Sequence, residues 1–189
     1  MGLPAAVSVA SLGRRSAAYL VDSLIVGIAY ISLAVLFDTL FGPLLAATPD
    51  GTALVVVAVN PGRVVLELTA TLVIDALYFA GCWGRWGATP AQRALRLRVR
   101  MAHGTPPTPV ALGGLPIEAA WRRWAVLAIL PIAMGSLAAS GALDPGVLLV
   151  VNGTWFLVLL TSAAADPLRR GLHDRVAGTV VVPAPDRRA

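Results

Sequence analysis

The residues of this sequence best placed to do chemistry are the acids inside its apolar runs. Asp22 lies in the run from Ala17 to Phe41 and Asp75 in the run from Val64 to Trp83. An unpaired carboxylate in a bilayer costs on the order of 3 kcal/mol on insertion scales, so each is expected to face protein or water rather than lipid. Arg15 precedes Asp22 by seven residues. At about 100° per residue the two share a helix face, roughly 10.5 Å apart along the axis, and Arg15 in the cytoplasmic headgroups is the expected partner of Asp22. Asp75 stands eight residues before Trp83. On a helix running from outside to inside this puts it about 12 Å from the same boundary, a depth matching that of Asp22. Two acids at one depth can share a proton or hold a cation between them. Alternatively, each is a structural acid hydrogen-bonded to a neighbouring helix.

The other reactive side chains point to no conventional active site. There are two histidines, His103 and His173, and one cysteine, Cys82, which lies in an apolar run and so can form no disulfide within the chain. No nucleophile elbow, phosphate loop after a strand, or HExxH pattern occurs, so neither an enzyme nor a bound cofactor or metal is expected. His173-Asp174, set among Arg170 and Arg175, reads as a turn held by salt bridges rather than as a catalytic pair. Glu67 follows Arg63 at the i,i+4 spacing of a solvated surface ion pair, and Asn152 and Thr154 suit hydrogen bonding between helices.

Membrane helices must position these groups. Of the 189 residues 57% are hydrophobic and 13% charged, and the mean hydropathy of +0.77 exceeds that of ordinary soluble domains. The apolar runs define an all-α membrane protein of one domain, 1–189, with four transmembrane helices at about 17–41, 64–83, 124–140 and 146–165. Pro131 is expected to kink the third, and the short Gly141–Pro145 connection makes the third and fourth an antiparallel hairpin. Three spans, with these last two fused or re-entrant, is the alternative. The first helix is expected to be retained rather than cleaved as a signal, because no small-residue cleavage site closes it.

The net charge of +5 is carried by arginine alone, the sequence having no lysine. With the N-terminus inside, two arginines precede the first span, seven lie between Arg85 and Arg123, and five follow Leu168; the opposite side holds only Arg63. The positive-inside rule therefore puts both termini in the cytoplasm and makes an inner membrane the expected location, and the scatter of arginine argues against nucleic acid as a partner.

The cytoplasmic loop, 84–123, has its own structure. Thr89-Pro90-Ala91-Gln92 fits a capping box that starts a short helix. From Leu95 to Met101 apolar residues alternate with Arg96, Arg98 and Arg100. Such a strand puts three guanidinium groups on one face, toward anionic lipid or solvent, and an apolar face on the other. Its expected cover is the β-branched segment Thr179–Val182, giving a short cytoplasmic β element from strands near 95–101 and 179–182.

Three separated pieces carry a resemblance: Gly13-Arg14-Arg15 through Ala18 and Asp22, Gly87-Ala88-Thr89-Pro90 through Arg98-Val99, and Arg170-Gly171-Leu172-His173-Asp174-Arg175 with Ala177-Gly178-Thr179. In order and spacing the chain resembles the RDD family. By motif position, the arginine and two aspartates that name that family fall on Arg15, with Arg14 as an adjacent alternative, and on Asp22 and Asp174. Where the family commonly reads Thr-Pro-Gly-Lys-Arg, this chain has Thr89-Pro90-Ala91-Gln92-Arg93, without the glycine and the lysine. The resemblance implies a small polytopic membrane protein, with cation/proton exchange proposed for some members. Two functions are therefore expected in competition. One is a transport component using Asp22 and Asp75, which would need a homo-oligomer to enclose a pathway. The other is an accessory or assembly subunit of a larger membrane complex.

Overall fold

The structure, a computed structural model, describes residues 9–43, 45–47, 54–56, 61–102, 113–139 and 144–184. Helix α1 runs from Leu12 to Phe41. The Ser11 side chain caps it by accepting from the Arg14 amide, and Gly42, at φ 83°, ends it. The helix starts five residues before the apolar run because Arg14 and Arg15 are good helix formers whose charge is met elsewhere in the chain. Strands β1, Leu45–Ala47, and β2, Leu54–Val56, pair antiparallel, with Leu45 opposite Val56.

The second long helix is continuous in direction but not in winding. Helix α2, Pro61–Ala76, passes into a π-helical turn, Leu77–Gly81, and then into α3, Cys82–Trp86. Gly87, at φ 67°, closes α3. A β-carbon there would stand 2.8 Å from the Gly113 carbonyl oxygen, so the turn requires glycine both for its backbone angle and for this close approach. The expected capping box is present at α4, Pro90–Ala94: the Thr89 side chain accepts from the Gln92 amide and Gln92 Oε1 accepts from the Thr89 amide.

Strand β3 spans Leu97–Met101, helix α5 Ile117–Ala139 with Pro131 inside it, helix α6 Pro145–Ala165, helix α7 Leu172–Ala177 and strand β4 Thr179–Pro183. Most of the connection expected between the last two long helices, 141–143, lies outside the described residues, as does His103. The expected cytoplasmic strand pair forms, antiparallel, with Val99 opposite Val181. Its first strand starts two residues late. Arg96 adopts φ 51° in the turn before β3, so only Arg98 and Arg100 of the expected arginine face lie on the strand. The loop expected over 84–123 is also shorter than its sequence suggests, since α5 already begins at Ile117 and carries Arg122 and Arg123.

Three helices among the described residues are long and apolar enough to cross a membrane: Leu12–Phe41, Gly62–Trp86 and Gly146–Ala165. Burial is inverted relative to a soluble protein. Leu20, Leu24, Ile31, Leu77 and Leu149 point outward at 63–75% exposure, while Asp22, Asp75, Thr89, Arg123, Asp174 and Thr179 are buried. Lipid in place of water makes the outward leucines favourable, and it leaves polar groups to satisfy one another inside.

A compact cap closes one end of the bundle. Trp83, Leu97, Val99, Leu115, Ala120 and Val181 pack together there. The backbone is stitched across by Ala10 N to Val181 O at 3.1 Å, Leu115 N to Trp83 O at 2.9 Å and Val99 N to Gly87 O at 2.7 Å.

Candidate functional site

Three polar centres lie along the protein, and each is built from elements far apart in sequence. The first joins the cap to the helices. The Asp174 carboxylate, near the start of α7, has no solvent exposure and forms ion pairs with Arg15 of α1 and Arg123 of α5. Thr179 Oγ1 donates to Asp174 Oδ1 at 3.0 Å and accepts from Arg123 at 3.0 Å. Arg15 also donates to the Arg169 carbonyl, presented by a residue at φ 51°. Arg123 stacks over Trp83, 4.6 Å from the ring centre. His173 Nε2 lies 3.4 Å from Asp174. Burial, and then the positive charges of Arg123 and Arg15, push the His173 pKa well below its ordinary value, so the ring is neutral at neutral pH. The expected turn at His173-Asp174 is instead a short helix whose acid is the hub of a buried knot.

The second centre is Asp22, which α1 brings against the start of α4. Thr89 Oγ1 donates to Oδ2 at 2.5 Å, Tyr78 OH to Oδ1 at 2.7 Å and the Ala91 amide to Oδ1 at 3.2 Å. The Thr89 hydroxyl thus serves two roles, accepting at the helix cap and donating to the acid. The expected Arg15–Asp22 partnership is replaced, because Arg15 turns to Asp174 and three neutral donors enclose Asp22, which is 1% exposed.

Asp75 forms the third. Tyr30 OH donates to Oδ1 at 2.6 Å and Trp124 Nε1 to Oδ2 at 2.7 Å. Tyr30 lies about two turns beyond Asp22 along α1, so the two acids do not meet; each has its own donors. The π-helical turn begins two residues after Asp75. Its wider winding brings Tyr78 to Asp22 and turns the adjacent Phe79 to the cavity wall.

Asp75 opens on a cavity of about 590 Å³ between α1, α2 and α5. From α1 come Tyr19, Ser23, Gly27 and Tyr30, and from α2 Glu67, Thr71 and Asp75, residues spaced by three or four and so on one helical face. Leu127, Pro131 and Gly135 of α5 complete the wall. Proline has no amide hydrogen, so the Leu127 carbonyl loses its usual helical donor beside this space. Among the described residues no basic side chain lines the cavity.

Beyond it, Arg63 is buried, forms an ion pair with Asp38 and stands 3.7 Å from Glu67. The expected Arg63–Glu67 pair is therefore present, but its arginine is not solvated as its i,i+4 spacing suggests.

The arginines of β3 diverge. Arg98 turns back to donate to the Trp86 carbonyl at 3.4 Å, and Arg100 is exposed. In α6, Thr154 is exposed and Asn152 Oδ1 is buried without a hydrogen-bond partner, so among the described residues neither side-chain oxygen makes the expected contact between helices.

The segments that converge here, the start of α1, the α3–β3 region and α7, are those that carry the sequence resemblance. The RDD family model matches residues 9–178, nearly the whole chain. The chain belongs to the RDD family. Among curated proteins and among solved structures no match was found. Of the three positions carried over by RDD motif, Arg15 and Asp174 form one ion pair and Asp22 stands apart in the neighbouring centre. Arg14, the alternative arginine, donates to the Leu95 carbonyl instead.

Sequence reading missed Arg123, Thr179, Tyr78 and Trp124 as partners. The available signal was the arginine before a long apolar run at Trp121-Arg122-Arg123-Trp124.

Proposed function

We propose that this RDD protein is a transport component of the cell membrane that exchanges a cation for a proton at Asp75. In this reading the chain crosses the bilayer four times, with both termini cytoplasmic. α5 is the additional span: past Arg123, at the cap boundary, its stretch from Trp124 to Ala139 is apolar and reaches about 24 Å, most of a hydrocarbon layer of about 30 Å. The arginine excess at the cap end supports that orientation.

The observation that carries the proposal is the contrast between the two buried acids. Asp22 borders only a small cavity of about 90 Å³, and three donors from α4 and Tyr78 take up its oxygens, the environment of a structural tie. Asp75 lines a cavity wide enough for a ligand, and its two donors leave acceptor positions on both oxygens. A carboxylate so placed takes either a proton or a cation, and competition between them is the minimal requirement for exchange. The Asp174 knot and the cap then hold α1, α5 and α7 in fixed relation, so that the cavity helices have a rigid base. In this reading a second copy completes the pathway; among the described residues the cavity wall is built from the α1, α2 and α5 regions and holds none from α6.

The test is proton flux in vesicles containing purified protein and a pH-sensitive dye. Imposed gradients of a cation, with sodium, potassium and an organic ammonium tried in turn, should move protons with wild type and with a folded Asp22→Asn variant, but not with Asp75→Asn. Equal flux from Asp75→Asn overturns the assignment. No flux from well-folded wild type favours the accessory-subunit reading, with copurification of a larger complex as its mark.

A further inference from the structure

The cavity has a chemistry more specific than an acid in a membrane. Its walls are largely apolar side chains from α1, α2 and α5, with Phe79, Tyr19 and Tyr30 supplying aromatic surface near Asp75. Its volume of about 590 Å³ falls in the range of sites for drug-sized molecules, about 300–1,000 Å³. A dehydrated metal ion needs several oxygen ligands at short distance; beside Asp75, whose carboxylate is already held by Tyr30 and Trp124, the wall offers scattered oxygens at Ser23, Thr71 and the Leu127 carbonyl among mainly apolar side chains.

Among the described residues, the other ionisable side chain on the wall besides the tyrosines is Glu67, two turns away on α2, whose Oε2 is buried without a hydrogen-bond partner. Arg63 stands 3.7 Å from Glu67 and is also paired with Asp38, so that group carries one net negative charge. The cavity is therefore apolar in surface and anionic in charge.

The geometry points to an organic monocation with a substantial apolar body as the ligand of this cavity, its charged centre at Asp75 and its apolar part along α1 and α5. This rests on the reading of Asp75 as the cation-facing acid and names the class of cation. Apolar contact supplies the affinity that ion coordination here lacks, and aromatic rings attract an onium charge through their faces. Entry from the lipid phase suits such a molecule, which already partitions into the bilayer.

Equilibrium binding of radiolabelled tetraphenylphosphonium to the full chain in nanodiscs tests the inference, with triphenylphosphine oxide as an uncharged probe of similar apolar area. Empty nanodiscs provide the partition background. Wild type should bind the phosphonium saturably, and Asp75→Asn should weaken it by about tenfold or more while leaving the uncharged probe unchanged. Gly135→Leu supplies a variant that leaves the acid intact. A β-carbon at Gly135 meets nothing within 4 Å, so the leucine fills the cavity without a clash at its base and should reduce binding of both probes.

Absence of saturable phosphonium binding by folded wild type, or equal binding by Asp75→Asn, overturns the inference. Sodium- or potassium-driven flux that needs Asp75, with no phosphonium binding, overturns it while the exchange reading stands. Phosphonium binding that needs Asp75, without proton flux, upholds the organic-cation site and overturns the exchange reading.

Discussion

Arg123 of α5 and Asp174 of α7, 51 residues apart, form an ion pair at which the side-chain exposures are 3% and 0%. Arg15 binds the second oxygen of the same carboxylate. One acid thus neutralises part of the charge of two arginines from different helices, at the boundary where the cap meets the bundle. Removing one member of a buried pair costs about 3–5 kcal/mol because the partner remains buried and uncompensated. Asp174→Asn should therefore lower stability in detergent by about 3 kcal/mol or more, read from thermal unfolding. Arg122→Gln, at an exposed pair with Glu118, should leave the midpoint nearly unchanged. Equal effects from the two variants contradict the knot.

His173 supplies a pH dependence. Its folded-state pKa lies well below 6.5 because of burial and the two nearby guanidinium groups. The unfolded chain takes up the proton first, so stability rises with pH and is lost as pH falls below about 6.5. The loss is read between about pH 7.5 and 5.5, the window that brackets the ordinary histidine pKa. Unfolding of wild type and His173→Gln measured across that window should show the smaller slope in the variant; parallel curves contradict the prediction.

Thr89 joins the α4 cap to Asp22. Thr89→Val keeps the shape but removes both the acceptor for the Gln92 amide and the donor to Asp22. Loss of a helix cap alone costs about 1 kcal/mol, and the Asp22 oxygen left buried without its donor adds to it. Limited proteolysis should cut the segment around residues 87–96 faster in this variant, and Thr89→Ser should restore protection. Unchanged cleavage in Thr89→Val would show that Asp22 is held without it.

Deletion of the residues after Gly178 removes β4, which covers Leu97 and Val99 through the register Leu97–Pro183 to Met101–Thr179. The shortened chain should insert but lose its monodisperse gel-filtration peak and its protease resistance. A wild-type profile would show that the strand pair is dispensable.

Much of this architecture can be read from residue patterns, and the exceptions have physical causes. The apolar runs locate the long helices because hydropathy directly reports the lipid contact that most of their side chains make. The alternation Leu97-Arg98-Val99-Arg100-Met101 and the β-branched Thr179–Val182 reveal the strand pair, since period two is the geometry of a strand. Helix rotation is not encoded so plainly. Arg122 and Arg123 are adjacent and chemically identical, yet one is 61% exposed and the other 3%, a difference of about 100° around the axis. For the same reason depth alone suggests a joint site for Asp22 and Asp75, which their partners on α4, Tyr78, Tyr30 and Trp124 do not provide.

Topology gives a further prediction, independent of the acids. In a Cys82→Ser background, Asp144→Cys, at the exposed start of α6, should react with an impermeant maleimide applied outside sealed right-side-out vesicles. Arg175→Cys should react only after permeabilisation. Labelling of Arg175→Cys in sealed vesicles contradicts the four-span arrangement with cytoplasmic ends.

Asp75 lies on the large cavity between α1, α2 and α5 with acceptor positions open to a ligand, while Asp22, beside a much smaller one, has its oxygens taken by three donors. Dicyclohexylcarbodiimide enters from the apolar phase and modifies accessible protonated carboxyl groups, and peptide mass spectrometry locates the adduct. Treatment of the folded protein in membranes across about pH 5–8 should modify Asp75 and spare Asp22, with the adduct reduced by Gly135→Leu. An adduct on Asp22 with Asp75 unmodified would contradict this contrast between the two acids.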